Sequence, residues 1–165
     1  MHIMLTDKIK SWDEIRSISS DLKSKCQTIV FTNGCFDILH CGHVLYLEQA
    51  KACGDVLVLG LNSDASVQRL KGKDRPINKQ DDRAIVLAGL QAVDFVVIFD
   101  EDTPYNLIAN IMPDVLVKGG DWSIADIVGS DIVLASGGIV KSLGFTDGKS
   151  TTNIITNIVN NTKGY

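Results

Sequence analysis

The chain has 165 residues and a formal net charge of −4, from 16 basic and 20 acidic side chains. This is the length of one ordinary domain, and it is enough to bury a substantial core. The acidic balance argues against non-specific binding to nucleic acid, so any surface that binds polyanions must be local. With 45% hydrophobic and 22% charged residues, the composition is that of a soluble globular protein.

The sequence predicts a cytoplasmic protein with no membrane association. Its N-terminus lacks a basic region followed by an apolar stretch, and no apolar run approaches membrane-spanning length. The four cysteines are therefore expected to be reduced thiols rather than a disulfide framework.

Helical and strand-like patterns follow one another along the chain. In the first half they predict a helix over about 12–25, a strand at 28–31, a helix from 44 to Gly54, and a strand at 56–61. In the second half they predict a helix over about 81–90, strands at 93–99, 115–117 and 138–143, a helix from 103 to Pro113, and a final helix after Ser150.

Two helices carry sequence signals that define them more closely. Ser11 and Glu14 have the spacing of a capping box at the start of the first helix. In the helix over 81–90, we expect Ile85, Leu87 and Leu90 to face the core.

A further helix is expected to begin at a Thr-Pro pair. Thr103 is predicted to be its N-cap, with Pro104 in the first turn.

The alternation predicts an α/β fold, in which an open parallel sheet carries helices on both faces. We expect residues 1–165 to form a single domain, with 1–26 as an N-terminal helical extension. In such folds ligands bind outside the carboxyl ends of the strands, where the strand order reverses. Polar clusters at 40–43, 62–64, 101–102 and Lys118 each follow a predicted strand, which favours a ligand site at that edge.

The stretch from Thr32 to His43 is the most informative part of the chain. It reads Thr-Asn-Gly-Cys-Phe-Asp-Ile-Leu-His-Cys-Gly-His and connects the first predicted strand to a helix. A helix N-terminus attracts phosphate through unpaired N–H groups and a positive dipole end. His40 and His43 add donors at the same place, so the stretch predicts a nucleotide phosphate site.

Other kinds of site fit this sequence less well. No G-x-G-x-x-G follows the first strand, which argues against a dinucleotide site of that type. Gly148, Lys149 and Ser150 form half of a phosphate loop, but Leu143 occupies the position of its first glycine. The spacing of cysteines and histidines around Cys41 lacks the second pair that a structural zinc site requires.

The motif Gly34-Cys35-Phe36-Asp37-Ile38-Leu39-His40-Cys41-Gly42-His43 resembles the G-x-F-D-x-x-H-x-G-H signature of the cytidylyltransferase-like nucleotidyltransferases. Further motifs occur in the order and spacing of that family, at 62–64, 69–76, 101–104, 118–121 and 150–155. Together they resemble the D-glycero-D-manno-heptose 1-phosphate adenylyltransferases, from about Thr28 to the C-terminus. These occur as stand-alone enzymes and as the C-terminal half of bifunctional kinase–adenylyltransferases.

The resemblance implies that a sugar phosphate oxygen attacks the α-phosphorus of ATP and expels pyrophosphate. It assigns His40, His43 and Lys118 to catalysis, at the charge that develops on the phosphates. It implies that the remaining nucleotide or sugar-phosphate contacts come from Thr32, Asn33, Gly34, Phe36, Gly42, Asn62, Asp64, Lys71, Arg75, Ser150, Thr151 and Thr152.

Several roles stay open at this point. Lys71 and Arg75 lie on a basic loop that is expected to act as a lid over the triphosphate or the sugar phosphate, or to be simply solvated. Asp37 either assists Mg²⁺ or stabilises its turn, and Mg²⁺ bound to ATP needs few protein ligands. Trp122 either borders the ligand or packs on the surface. Glu101 and Asp102 are further candidates for binding hydroxyl groups.

The resemblance also implies partners. The kinase half of the bifunctional form does not occur in this sequence, so the chain is either a stand-alone enzyme that works with a separate heptose kinase and phosphatase or a fragment of a bifunctional protein. The Met1 start and the short N-terminal helix favour the stand-alone form. A homodimer is expected from the habits of the superfamily. The alternatives are a cytidylyltransferase acting on glycerol 3-phosphate or another polyol phosphate, and a nucleotide-binding module without catalysis.

Overall fold

A computed structural model describes residues 4–144 and 150–162. Met1, together with the first residues of the predicted N-terminal extension, lies outside these ranges, as do Gly148 and Lys149 of the half phosphate loop.

The described residues form a parallel sheet of five strands in the order β3-β2-β1-β4-β5. The strands are β1 (Ile29–Gly34), β2 (Val56–Asn62), β3 (Phe95–Phe99), β4 (Val115–Gly119) and β5 (Ile139–Leu143). All five predicted strands and the α/β class are confirmed. The strands β1 and β4 continue further than predicted, to Gly34 and Gly119, and β3 begins later, at Phe95.

The helices cover both faces of this sheet. They are α1 (Trp12–Ser24), α2 (Cys41–Lys51), α3 (Asp64–Lys71), α4 (Gln80–Ala88), α5 (Tyr105–Ile111), α6 (Ser130–Ala135) and α7 (Thr151–Thr162), with 3-10 turns at Leu5–Lys8 and Ile124–Asp126. Buried side chains of α1, α5 and α6 pack against one face, and those of α2 and α4 against the other. Alternate residues of β1 point to opposite cores, with Val30 on the α2 side and Phe31 on the α1 side.

The strand order reverses between β1 and β4. From β1 the chain runs outward through β2 to β3, and it then crosses to the other side of β1 to form β4. The β1–β4 ladder pairs Val30 with Val115 and Phe31 with Leu116. Beyond these two pairs, the described residues of β1 and β4 do not pair with each other. The β1–β2 ladder, in contrast, continues to Gly34. The two central strands therefore part at their carboxyl ends.

The N-terminal segment packs against the sheet. Ile9 forms a parallel bridge to Val96 of the edge strand β3, and the Lys10 N–H donates to the Val96 carbonyl at 2.9 Å. The indole N–H of Trp12 donates to the carbonyl of Ile98 at 3.1 Å. Because an open strand edge can pair with other chains, this contact also protects β3.

Two helices were not predicted from the sequence, α3 and α6. The sequence of α3 is largely polar, so it shows no apolar stripe. Its local signal is Ser63, whose side chain accepts a hydrogen bond from the Ser66 N–H and caps the helix.

The prediction that Ile85 of α4 faces the core is wrong. This side chain is 44% exposed, whereas Arg83, Ala84 and Leu87 are buried. The helix is turned so that Arg83 reaches buried backbone carbonyls, and that places Ile85 on the solvent side.

The predicted cap at Thr103 is also wrong. Helix α5 begins at Tyr105, Pro104 occupies the N-cap position, and no side chain makes a capping hydrogen bond there. The predicted end near Pro113 agrees with the structure, because the left-handed residue Met112 terminates the helix.

The corrected face of α4 is testable by a pair of substitutions. Leu87→Ala should lower the free energy of unfolding by about 2–5 kcal/mol, because it empties a buried site. Ile85→Ala should change it by less than about 0.5 kcal/mol. Urea denaturation of both variants measures the difference, and equal losses would contradict this orientation.

Candidate active site

A cavity of about 860 Å³ lies at the carboxyl ends of the central strands. Its wall includes Asn33 and Gly34 from β1, Asn62 from β2, and Lys118 and Gly119 from β4. This is the switch point at which open parallel sheets bind ligands, and the volume suits a nucleotide. The cavity opens where β1 and β4 stop pairing.

Polar contacts bridge the parted strands. The hydroxyl of Tyr46, on α2, lies 2.6 Å from Thr32 Oγ1 and donates to the Val117 carbonyl at 3.4 Å. Burial raises the pKa of Tyr46 to about 12, so this phenol stays protonated and can donate. Further out, the ammonium of Lys118 donates to Asn33 Oδ1 at 3.4 Å.

The residues of the signature turn have distinct structural tasks. Phe36 adopts a left-handed φ of 43°, which is uncommon for a residue with a side chain. Its ring packs over Gly34, where an added Cβ would lie 2.7 Å from the ring. The same ring meets the edge of His43, with centroids 5.1 Å apart. A glycine at position 34 is therefore required for the aromatic support of His43.

The two signature histidines are stacked at the start of α2. Their ring centroids are 3.7 Å apart and their planes are 20° from parallel. His40 is the N-cap of α2, which begins three residues earlier than predicted, so both imidazoles flank the first turn. That turn adds unpaired backbone N–H groups and the positive end of a helix dipole.

Burial and the neighbouring His40 both disfavour a positive charge on His43. Burial lowers the pKa of His43 from 6.5 to about 4, and the neighbouring His40 contributes in the same direction. Its Nδ1 is buried, and no group in the described residues hydrogen-bonds to it. His43 is therefore a neutral imidazole at pH 7, and it would gain a proton only when an anion stabilises the charged form.

Lys118 brings a cation to the end of β4. Burial lowers the pKa of this ammonium group, the Cys35 thiol opposes that effect, and the positive charge of Lys71 adds to it. Two lysines thus face one cavity, and in residues 4–144 and 150–162 no carboxylate forms an ion pair with Lys118. An anionic ligand would relieve both burial and repulsion.

A second helix N-terminus reaches the same cavity. The Ser150 side chain accepts a hydrogen bond from the Asn153 N–H at 3.1 Å, which agrees with its predicted capping role for α7. The Thr151 hydroxyl donates to the carbonyl of Ile38 at 3.3 Å, so the helix start is tied to the signature turn. Ser150, Thr151 and Thr152 all line the cavity.

Arg83 supports the site from behind the cavity wall, and it is not among the residues predicted from the sequence. The residue is 2% exposed, and its guanidinium donates to the carbonyls of Cys35 and Asn62, at 2.6 and 2.9 Å. It also pairs with the Asp64 carboxylate at 2.9 Å. It thereby connects the ends of β1 and β2. One sequence signal could have indicated its burial: Arg83 lies four residues before Leu87, on the same face of α4.

Most of the predicted site residues meet in this cavity. Those that line it are Asn33, Gly34, Phe36, Asp37, His40, Gly42, His43, Asn62, Lys71, Arg75, Lys118, Ser150, Thr151 and Thr152. Thr32 and Asp64 do not line it, because Thr32 is buried against Tyr46 and Asp64 faces Arg83.

The cavity also contains residues to which the sequence assigned no definite role. Trp122 and Asp102, which were open candidates, line the wall, whereas Glu101 does not. The lining residues that had no assigned role include Cys35, Tyr46, Leu70, Thr103, Pro104, Asp126, Ile127, Val128 and Asn153. Several of these come from irregular segments after β3 and β4, where no periodic pattern identifies them.

The described residues contain neither a cluster of metal-binding side chains nor a membrane-spanning helix. In residues 4–144 and 150–162, no group of three or more His, Cys, Asp or Glu side chains could bind a metal ion. In the same ranges, none of the helices combines the length and apolar character needed to cross a bilayer.

The pKa of His43 gives a testable pH dependence. The unfolded chain binds this proton near pH 6.5 and the folded chain only near pH 4, so the unfolded state binds more protons between these values. The contribution of His43 to stability is therefore complete above about pH 6.5 and is lost as the pH falls toward 4. NMR titration should show its imidazole titrating near pH 4.

The His43→Asn variant identifies the resonance in that titration. As the pH falls from about 6.5 to 4, this variant should lose less thermal stability than the wild type. A His43 resonance that titrates near 6.5 would contradict the buried, stacked geometry.

Comparison with known proteins agrees with this site. Residues 31–157 match the family model described as cytidylyltransferase-like. The chain is 59% identical over 152 residues to the bifunctional protein HldE of Wolinella succinogenes, and 61% identical over 151 residues to that of Campylobacter concisus. Each alignment covers 92% of this chain and 31% of the relative, so the chain spans under a third of the length of these relatives.

Solved structures support the same fold. The lipopolysaccharide core biosynthesis protein of Thermoplasma volcanium superposes with a TM-score of 0.60 at 29% identity, covering 74% of this chain and 99% of that one. A pantoate-beta-alanine ligase from Francisella tularensis shares the fold, with a TM-score of 0.61 at 17% identity, over 87% of this chain and 68% of that one. From its match over residues 31–157 and its signature turn, the chain belongs to the cytidylyltransferase-like family.

Proposed function

We propose that this protein is an adenylyltransferase that moves AMP from ATP to D-glycero-D-manno-heptose 1-phosphate. The products are ADP-heptose, for the synthesis of a surface polysaccharide such as a lipopolysaccharide core, and pyrophosphate. The observation that carries the proposal is the identity of 59% to an HldE protein over 92% of this chain. The motifs that resemble heptose 1-phosphate adenylyltransferases support the same substrate.

The proposed reaction is an in-line displacement at phosphorus. An oxygen of the sugar 1-phosphate forms a bond to the α-phosphorus of ATP, while the bond from that phosphorus to the bridging oxygen of the β-phosphate breaks. The electron pair leaves with pyrophosphate. Such a transfer depends on positioning and on neutralising negative charge, which requires no covalent intermediate on the protein.

The cavity supplies groups suited to that task. His40, His43 and Lys118 are proposed to stabilise the charge that develops at the α-phosphate as pyrophosphate departs. The N-terminus of α7, with Ser150 and Thr151, is proposed to bind the β- and γ-phosphates through hydroxyl and backbone N–H groups.

Magnesium is proposed to accompany the triphosphate. Mg²⁺ keeps several waters and is commonly held by substrate phosphates with one or two carboxylates, which suits a cavity wall with few free acidic groups. Bound there, it would neutralise part of the negative charge of the triphosphate.

The proposal extends to the cellular setting. Residues 1–165 are proposed to act as one nucleotidyltransferase domain in the cytoplasm, where ATP is available. A separate heptose kinase and phosphatase would supply the sugar 1-phosphate, and a homodimer is the proposed assembly.

The substrate assignment predicts a specific pattern of pyrophosphate release. With Mg²⁺, the protein should release pyrophosphate from ATP in the presence of heptose 1-phosphate, and release it much more slowly from CTP with the same acceptor. A coupled pyrophosphate assay with each nucleotide and acceptor measures this. Turnover with CTP and glycerol 3-phosphate, but not with ATP and heptose 1-phosphate, would show a cytidylyltransferase instead.

The catalytic role of His43 separates an enzyme from a binding module. His43→Ala should lower the rate of pyrophosphate release by about 10²–10³-fold, the usual cost of losing one donor to a transition-state oxyanion. Cys41→Ala is the matched control, because Cys41 is exposed between the two histidines and does not line the cavity. Full activity in folded His43→Ala, judged by circular dichroism, would remove the proposed role.

A further inference from the structure

The loop between α3 and α4 carries Arg75 to the cavity wall. Arg75 is the part of this loop that both lines the cavity and contacts the signature turn. Its side chain is 18% exposed, so most of it is held against protein. The contacts that hold it there come from Asp37.

Asp37 is a buried carboxylate whose oxygens point at this loop. Its side chain has 0% exposure, and it accepts a hydrogen bond from Arg75 Nε at 2.5 Å. It also accepts backbone hydrogen bonds from Ile77, at 2.8 Å, and from Asn78, at 2.9 Å. The Asn78 side chain returns a hydrogen bond to the Asp37 carbonyl at 2.7 Å.

These contacts make Asp37 a strong acceptor in its charged form. Burial by itself would raise the pKa of Asp37, but the hydrogen bonds from Asn78, Ile77 and Arg75 outweigh it and lower the pKa. A buried carboxylate with several donors is a costly group to retain unless it organises its surroundings.

Arg83 fixes the same loop from its other side. Its Nε donates to the Asn78 carbonyl at 3.0 Å, while its terminal nitrogen donates to the carbonyl of Cys35 at 2.6 Å. Segment 75–78 is thus attached to the signature turn twice, through Asp37 and through Arg83. We call these two attachments the clamp. Because the clamp holds residues 75–78, the predicted lid is restricted to residues 71–74, where Gly72 has a φ of 100°.

The cavity presents two sets of groups suited to phosphate, and the proposed reaction brings two anions. His40, His43, Lys118 and the α7 N-terminus gather around β1 and β4, where they suit the triphosphate. Lys71 and Arg75 approach from the β2 side. Arg75 Nε is bound to Asp37, and its terminal nitrogens form no hydrogen bond within residues 4–144 and 150–162. These terminal N–H groups suit bidentate binding of phosphate.

We propose that Asp37 is a positioning residue that orients Arg75 to bind the phosphate group of the acceptor. This inference rests on the proposed function, because the acceptor is the sugar 1-phosphate. Asp37 does not touch the substrate; it determines where the guanidinium of Arg75 lies. The competing expectation, that Asp37 serves Mg²⁺, leads to opposite results in the tests that follow.

Steady-state kinetics of three variants tests the proposal. Asp37→Asn keeps the shape of the side chain but faces Arg75 Nε with less negative charge, and Arg75→Lys removes the bound Nε–H. Both should raise KM for the sugar 1-phosphate by about 10–100-fold, the usual effect of a lost charged hydrogen bond, with KM for ATP nearly unchanged. Asp74→Asn, an exposed residue of the same loop, is the control and should match the wild type.

Two readouts separate positioning from a merely structural or metal-binding role. The double variant Asp37→Asn/Arg75→Lys should be no worse than Arg75→Lys alone, because Asp37 acts through Arg75. The Mg²⁺ concentration that gives half-maximal rate should stay the same in Asp37→Asn. An increased Mg²⁺ requirement, additive losses, or an equal rise in KM for ATP would overturn the proposal.

Failure of the clamp can be distinguished from failure of the proposed function. A wild-type protein that does not turn over heptose 1-phosphate counts against the function alone. A crystal structure of Asp37→Asn then still tests the clamp, and Arg75 should have left the cavity wall. If that variant does not fold, Arg75→Lys gives the same kinetic test. Arg75 in its original place, or wild-type kinetics in Arg75→Lys, would overturn the inference.

Discussion

The site depends on the point at which the two central strands stop pairing. A parallel sheet in the order β3-β2-β1-β4-β5 has to change direction between β1 and β4, and these strands pair through Phe31 and Leu116 before they part. Beyond that point their polar backbone groups need other partners, since unpaired buried groups are costly. The Tyr46 hydroxyl supplies part of this need by bridging Thr32 and the Val117 carbonyl. The cavity is therefore a consequence of the strand order, and α2 supplies the brace that supports it.

The electrostatics of the cavity follow from the same geometry. Parallel strands deliver their carboxyl ends, and the helix N-termini that come after them, to one edge of the sheet. Burial lowers the pKa values of His43 and Lys118, which means that both groups are in an environment that disfavours their charged forms. Negative phosphate oxygens would reverse that preference. A neutral imidazole becomes a better donor as negative charge accumulates on the leaving group. This property suits stabilisation of the transition state better than tight binding of the ground state.

The sequence predicted the sheet well and the polar interior poorly, for physical reasons. Buried parallel strands are short apolar runs, so all five were visible, and the signature turn identified the nucleotide site. Helix α3 has no apolar stripe, and the face of α4 is determined by Arg83, whose buried partners are backbone carbonyls from distant strands. The sequence does not decide between two roles for Asp37, because its partners lie about forty residues away, beyond any local pattern. Long-range hydrogen bonds of this kind leave no periodicity in the chain.

The most direct test of this account is a crystal structure with a non-hydrolysable ATP analogue and the sugar 1-phosphate. The account predicts that the α-phosphate lies over the gap between β1 and β4, within hydrogen-bonding distance of His40, His43 or Lys118, with the β- and γ-phosphates at the start of α7. A triphosphate bound away from that gap, with the stacked histidines more than one water layer from the α-phosphate, would contradict it.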